Sequence, residues 1–202
     1  VNGLDDTQLF DVEPLANKLN DTFIGNKNFE NLPNKLQIAI SGYEEGCNVQ
    51  FTPDVSFNAM KDSKNKIIFA IKILDSFIGF ITPAQVVKTA TAIANLYKDF
   101  GERSDESKSS FEYLVKSWGI NKFFDILNAT VDYKIQANML TKQSTNGRKP
   151  RMGINQSKIE GQSYIGCKLN TSIIQRENLD NLSSLLEKYN ATKIKITHKG
   201  NI

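Results

Sequence analysis

The chain has 202 residues, 40% of them apolar and 23% charged, and 25 Lys and Arg against 22 Asp and Glu leave a formal charge of +3. That length and balance describe one large or two small globular domains and exclude a wholly disordered, collagen-like or disulfide-rich chain. The positive excess is too small to point to nucleic acid, and no apolar run approaches the roughly 18 residues that span a bilayer. The 2 cysteines, Cys47 and Cys167, lie far apart, so this chain cannot supply four thiolates to an iron–sulfur cluster or a structural zinc. A Cys47–Cys167 disulfide stays open in principle, but scarce cysteine and no secretory context argue against it. The single histidine, His198, makes a His-rich metal site or a Ser–His–Asp triad a poor expectation. The acidic opening VNGLDDTQLFD lacks the pattern of a signal peptide. The expectation is a soluble, cytoplasmic protein with no nucleic-acid or membrane partner.

Asp11 and Pro14 signal the start of a helix carrying Leu15, Leu19 and Phe23 at helical spacing, which Gly25 stops. Residues 36–42 (LQIAISG) and 54–60 (DVSFNAM) alternate as strands, and 66–74 (KIIFAIKIL) is a β-branched run. The polar turn at 61–65 predicts that the last two form a hairpin. Thr82-Pro83 opens a long helix with Val86, Ala90, Ile93, Tyr97 and Phe100 on one face, closed by Gly101. Ser104 is expected to cap the next helix, with Phe111, Leu114, Val115 and Trp118 on one face. Ile120, Phe123, Phe124 and Leu127 mark another after Gly119. These aromatic stripes read as core packing.

Periodicity fades over 136–150, which reads as a linker or loop, and restarts with a short strand at 151–155. A strand at 163–169, an amphipathic helix with Leu179, Leu182, Leu185, Leu186 and Tyr189, and a strand at 193–197 with Ile194 and Ile196 inward complete a β-α-β unit. The predicted fold class is α+β: a domain over 1–135, a linker over 136–150, and a ferredoxin-like half over 151–202. So small a sheet needs a mate, either the first domain, another chain or a further segment. Self-association as a dimer is therefore expected.

Five segments carry a family resemblance. NFENLPNKLQIAISG (28–42), EGCNVQFTPDVSFNAM (45–60), the helical run 81–127, GINQSKIEGQSYIGCKLN (153–170) and ATKIKITHKGNI (191–202) resemble, in order and spacing, segments of the sirohaem-dependent nitrite and sulfite reductases. The resemblance covers nearly the whole chain and implies its first α/β domain plus its second ferredoxin-like half. The family's first half-domain and its last α/β domain, which holds the four cluster cysteines, have no counterpart here. A fragment, a shortened relative and one component of a split assembly are all consistent with that.

The resemblance implies sirohaem and a [4Fe–4S] cluster, and an electron donor such as ferredoxin. Six-electron reduction of a small oxyanion needs a metal that binds the anion, an electron relay, and cationic donors around the substrate. Sirohaem carries eight carboxylates and itself calls for a basic cradle. On the family's LPRKFK segment, Lys35 keeps the first substrate-side lysine, Gln37 replaces the second and Asn34 replaces an arginine. Lys35 and Gln37 are thus the candidate substrate-side residues, and Asn34, Arg103 and Lys108 the candidate cofactor-side ones. Lys35 taken by itself also reads as a solvated lysine at a strand edge. Glu106 stands in an arginine's place, Lys108 keeps another's charge and Ser110 loses a third, and Glu106 and Lys108 also read as ordinary exposed residues. Gly79 alone remains of a Gly-rich turn, and Gly200 stands where the family has Gln. The basic run 148–151 has no interleaved aromatics and reads as a solvated loop. Three readings follow: a component of a nitrite or sulfite reductase, a non-catalytic module that keeps the fold, and a relative of the superfamily's cobalamin-pathway branch.

Overall fold

The computed structural model describes residues 3–43, 52–137, 141–142, 152–168, 175–191 and 194–196. Two compact units are present, one from Thr7 to Gly147, the other formed by Gly3–Asp6 with 148–202. No helix among the described residues is long and apolar enough to cross a membrane.

In the larger unit α1 (Glu13–Phe23) begins where the Asp11 carboxylate accepts the Glu13 N–H at 3.1 Å. The sheet runs β1 (Ile38–Ser41), β2 (Val55–Asp62), β3 (Ile67–Ile73), β4 (Ser76–Ile81) in spatial order. β1 is parallel to β2, and the remaining pairs on that path are antiparallel. The predicted hairpin is present, and Asp62 builds its turn by accepting the N–H groups of Lys64 and Lys66, each at 2.8 Å. The sequence reading missed β4. Its run SFIGFI has a glycine at its centre, and that glycine is explained by a close approach. A Cβ on Gly79 would stand 2.7 Å from the Ile135 side chain, where Phe80 and Gln136 exchange backbone hydrogen bonds.

The long helix opens as a 3₁₀ turn, Pro83–Gln85, and continues as α2 (Val86–Phe100). α3 (Phe111–Trp118) starts later than Ser104 predicts. Its cap is Ser110, whose hydroxyl accepts the Tyr113 N–H at 3.1 Å, and Asp105 caps a separate 3₁₀ turn at Glu106–Lys108. α4 (Ile120–Thr130) follows Gly119. The apolar stripes of α2, α3 and α4 meet one face of the sheet. Val55, Phe57, Phe69, Ile71, Ile93, Phe111 and Phe123 are fully buried there. Edge-to-face contacts join Tyr97 to Phe111 and Phe111 to Phe123. The stretch read as a linker begins with Gln136 bridged to Phe80, and β5 (Thr141–Lys142) pairs with β2.

In the smaller unit β6 (Gly153–Gln156) and β7 (Ser163–Gly166) form a hairpin, followed by α5 (Arg176–Lys188). Gly3–Asp6 belongs with it: the Lys158 N–H donates to Leu4 at 2.8 Å and Asp5 bridges Ser157. The strand predicted at 193–197 is not found over its described residues, 194–196. Ile194 and Ile196 are exposed rather than inward. Alternation states a preference for a pleated surface, and a strand also needs a neighbour to pair with.

Candidate functional site

The candidate residues lie on two loops that meet beside the N-terminal ends of β1 and β2. The first loop is 31–37. Gln37 continues the pairing of β1 with β2: its carbonyl accepts the Val55 N–H at 3.0 Å, and its own N–H donates to the Asp54 carboxylate at 2.7 Å. Leu36 lies against the core with Ile38 and Ile40, so alternation places Lys35 and Gln37 on the opposite side. Lys35 is exposed and Gln37 half-buried.

The second loop, 101–110, follows α2. Gly101 lets the loops approach, because a Cβ there would stand 2.6 Å from Pro33 Cγ and 2.6 Å from the Tyr97 carbonyl oxygen. Arg103 reaches back across the gap. Its Nη2 donates to the backbone carbonyls of Asn31 (2.9 Å) and Lys98 (2.7 Å), and its Nη1 to Asn31 Oδ1 at 3.4 Å. The Asn34 amide donates to Ser109 Oγ at 2.9 Å. The buried Tyr97 hydroxyl donates to the Ser109 carbonyl.

Electrostatics divides these groups. Lys108 is already paired, its Nζ lying 2.7 Å from Asp105 Oδ2. Hydrogen bonds from Lys108 and Ser107 hold the Asp105 carboxyl down at about 2, and the same contact raises Lys108. Glu102 is lowered by the hydroxyl and N–H of Ser104 and by the Arg103 N–H. Asp54 moves the other way. Burial pushes it up, with Glu112 adding to the rise, against the Gln37 hydrogen bond and the Lys35 charge.

The structure therefore brings Asn34, Lys35 and Gln37 onto one loop and Arg103 and Lys108 onto the loop it is fastened to. Sequence reasoning did not assign Asp54, Tyr97, Asp105 or Ser109 to the site. Asp54 opens a strand pattern and Tyr97 sits in an apolar stripe, so nothing local in the sequence marks either. An apolar cavity of about 320 Å³ lies between α1 and residues 29–40, bordering the first loop at Leu32 and Leu36 and lined also by Leu19, Phe23 and Phe29, with Asn20 its polar member. It brings no titratable group to the loop pair.

A mixed sheet covered on one face by helices, with cations and amides on two fastened loops, defines a domain suited to presenting hydrogen-bond donors to an anionic group. The comparisons with known proteins sharpen that class. Residues 1–134 match the family model described as the nitrite and sulphite reductase 4Fe-4S domain, and the chain belongs to that family. It is similar to the ferredoxin–nitrite reductase of Synechococcus elongatus, at 26% identity over all of this chain and 42% of the relative. It is also similar to the chloroplastic enzyme of Arabidopsis thaliana, at 23% identity over all of this chain and 37% of that one. Among solved structures, the NirA protein of Mycobacterium tuberculosis shares the fold, with a TM-score of 0.83 at 19% identity over 98% of this chain and 38% of that chain. The chain thus spans about two-fifths of the length of these relatives.

The donor set does not fit a [4Fe–4S] cluster held by this chain by itself. Its cysteines number 2, and among the described residues no cluster of three or more metal-ligating side chains occurs. The loop pair does fit one side of a polycarboxylate macrocycle, offering Lys35, Arg103 and Lys108 with the amides of Asn34 and Gln37. Two of its three cations already hold partners.

Proposed function

We propose that this chain is part of, or a shortened relative of, a sirohaem-dependent nitrite or sulfite reductase. On this reading it supplies one wall of the site and is not competent alone. The observation that carries the reading is the fastening of loop 31–37 to loop 101–110, because it gathers the five residues that the family resemblance selects. Sirohaem, when bound, supplies the iron that takes the oxyanion and the electrons. Lys35 holds the anion by charge and donates hydrogen bonds to it, and it is the proton source on the substrate side. Gln37 donates an amide hydrogen bond without charge. Asn34, Arg103 and Lys108 face the macrocycle's carboxylates, and Lys108 exchanges Asp105 for a carboxylate to do so. Cluster thiolates come from a further segment or subunit. Ferredoxin is the donor consistent with the names of the relatives, and the cytoplasm is the compartment proposed. The hairpin β6–β7 takes its mate from that further segment, from another subunit or from a second copy.

The pairing of Lys108 with Asp105 and the engagement of Arg103 favour a second reading, in which the fold serves assembly and sirohaem binding has been lost. Titrating sirohaem into the chain and recording its absorption after desalting separates the two. Retained macrocycle bands that weaken in Lys108→Ala support the first reading. A wild-type chain that retains none overturns it in favour of the second.

A further inference from the structure

Tyr97 occupies the apolar stripe of α2, and its ring is fully buried, edge-to-face with Phe111 at 5.4 Å. Packing there needs only the ring. The hydroxyl does something else: it donates to the Ser109 carbonyl on the second site loop at 2.5 Å, and Ser109 is the residue that Asn34 of the first loop engages. Around the same joint, Asn34 Nδ2 donates to Ser109 Oγ at 2.9 Å, and Ser109 Oγ donates to the Glu106 carbonyl at 2.8 Å. Asn34 immediately precedes Lys35, and Ser109 immediately follows Lys108. We propose that the Tyr97 hydroxyl is a positioning group that fixes the Lys35-bearing loop against the Lys108-bearing loop. Tyr97 touches neither anion nor macrocycle in this account. It acts through Ser109, whose carbonyl it holds and whose hydroxyl accepts from Asn34, and burial keeps its phenol protonated and able to donate. The bearing of this joint on cofactor binding rests on the function proposed above, whereas its effect on the loops does not.

A second tyrosine provides the control. The Tyr133 hydroxyl lies 2.7 Å from Thr89 Oγ1 and donates to the Gln85 carbonyl at 3.3 Å, so it too joins two segments, but at the opposite end of α2. The test compares Tyr97→Phe with Tyr133→Phe in the full chain by backbone NMR and amide exchange. Tyr97→Phe is expected to speed exchange at Ser109, whose N–H donates to Glu106, about tenfold or more by opening the joint locally, and to shift the amides of Asn34, Lys35 and Lys108. Tyr133→Phe is expected to leave those four amides unmoved. Unchanged Ser109 exchange in Tyr97→Phe, or equal shifts from both variants, overturns the proposal. Should Tyr97→Phe fail to fold, Ser109→Ala removes the neighbouring contact from the same joint. It must then shift Asn34 and Lys35, and silence at both overturns the proposal as well. Added sirohaem gives the functional readout. Weaker retention by Tyr97→Phe than by Tyr133→Phe supports the positioning role, and equal weakening by the two overturns it. If the wild-type chain takes up no sirohaem, the cofactor reading fails while the exchange result still decides the joint.

Discussion

Three carboxylates near the two loops behave differently because their surroundings differ. Asp105 is only half-buried yet held at about 2, against an ordinary 3.8, by Lys108 and Ser107. The folded state therefore keeps this carboxyl ionised where the unfolded chain protonates it. The stabilisation is complete above 3.8 and is lost as pH falls through about 2. Following the Asp105 carboxyl carbon by NMR should show that low inflection, and Lys108→Ala should return it toward the ordinary value. Glu102 is lowered by Ser104 in the same sense. Asp54 has the opposite sign. Its folded value lies above 3.8, so ionisation weakens the fold as pH rises from 3.8 through the folded value, with Lys35, Glu112 and Tyr97 as its charged or titratable neighbours. Asp54→Asn keeps an acceptor for the Gln37 N–H and removes the charge. Denaturant unfolding should find this variant at least as stable as wild type at pH 7, with any advantage vanishing below pH 3.8. Asp54→Ala removes the acceptor and is expected to lose about 1–3 kcal/mol, toward the lower end because the site is half-buried.

At the scale of elements, two local features hold the second loop in place. Ser110 caps α3, and its replacement by Ala is expected to cost about 1 kcal/mol in denaturant unfolding. Gly101 admits Pro33, so Gly101→Ala should cost about 1–3 kcal/mol by overpacking and should perturb residues 31–35 in the NMR spectrum. A variant as stable as wild type with an unchanged spectrum would contradict the close approach. Strands β2 and β3 were legible in the sequence because β-branched alternation and the polar turn at 61–65 agree. The helices were legible from their stripes, although the α3 cap was misplaced. Ser104, Asp105 and Ser110 are all good capping residues, and only the packing of Phe111 decides which one starts the helix. β4 was hidden because Gly79 reads as a turn residue until Ile135 and Gln136 are seen against it. The candidate residues could be chosen from the family resemblance, but the fastening between their loops could not. Arg103 to Asn31 and Asn34 to Ser109 are contacts across more than seventy positions, and no local pattern encodes them.

For the whole molecule, the chain spans about two-fifths of the length of the relatives it matches. The cross-strand pair Ile154 and Ile165 is 80% and 63% exposed, and Leu179 and Leu185 of α5 and Tyr189 just after it are exposed too. Bare apolar surface of this kind favours association. Light scattering should show the isolated chain self-associating with concentration, and Ile154→Lys with Ile165→Lys should return it to a monomer. A wild-type monomer at all concentrations would contradict this. The same coverage bears on chemistry. The chain spans 42% of a nitrite reductase relative and carries 2 cysteines, so on the function proposed above its loop pair meets the macrocycle and the thiolates of the electron relay come from elsewhere. The most direct measurement supplies the purified chain with sirohaem and reduced viologen and assays ammonia from nitrite and sulfide from sulfite. No sustained six-electron turnover by the chain alone is expected, and steady formation of either product would overturn the proposed component role.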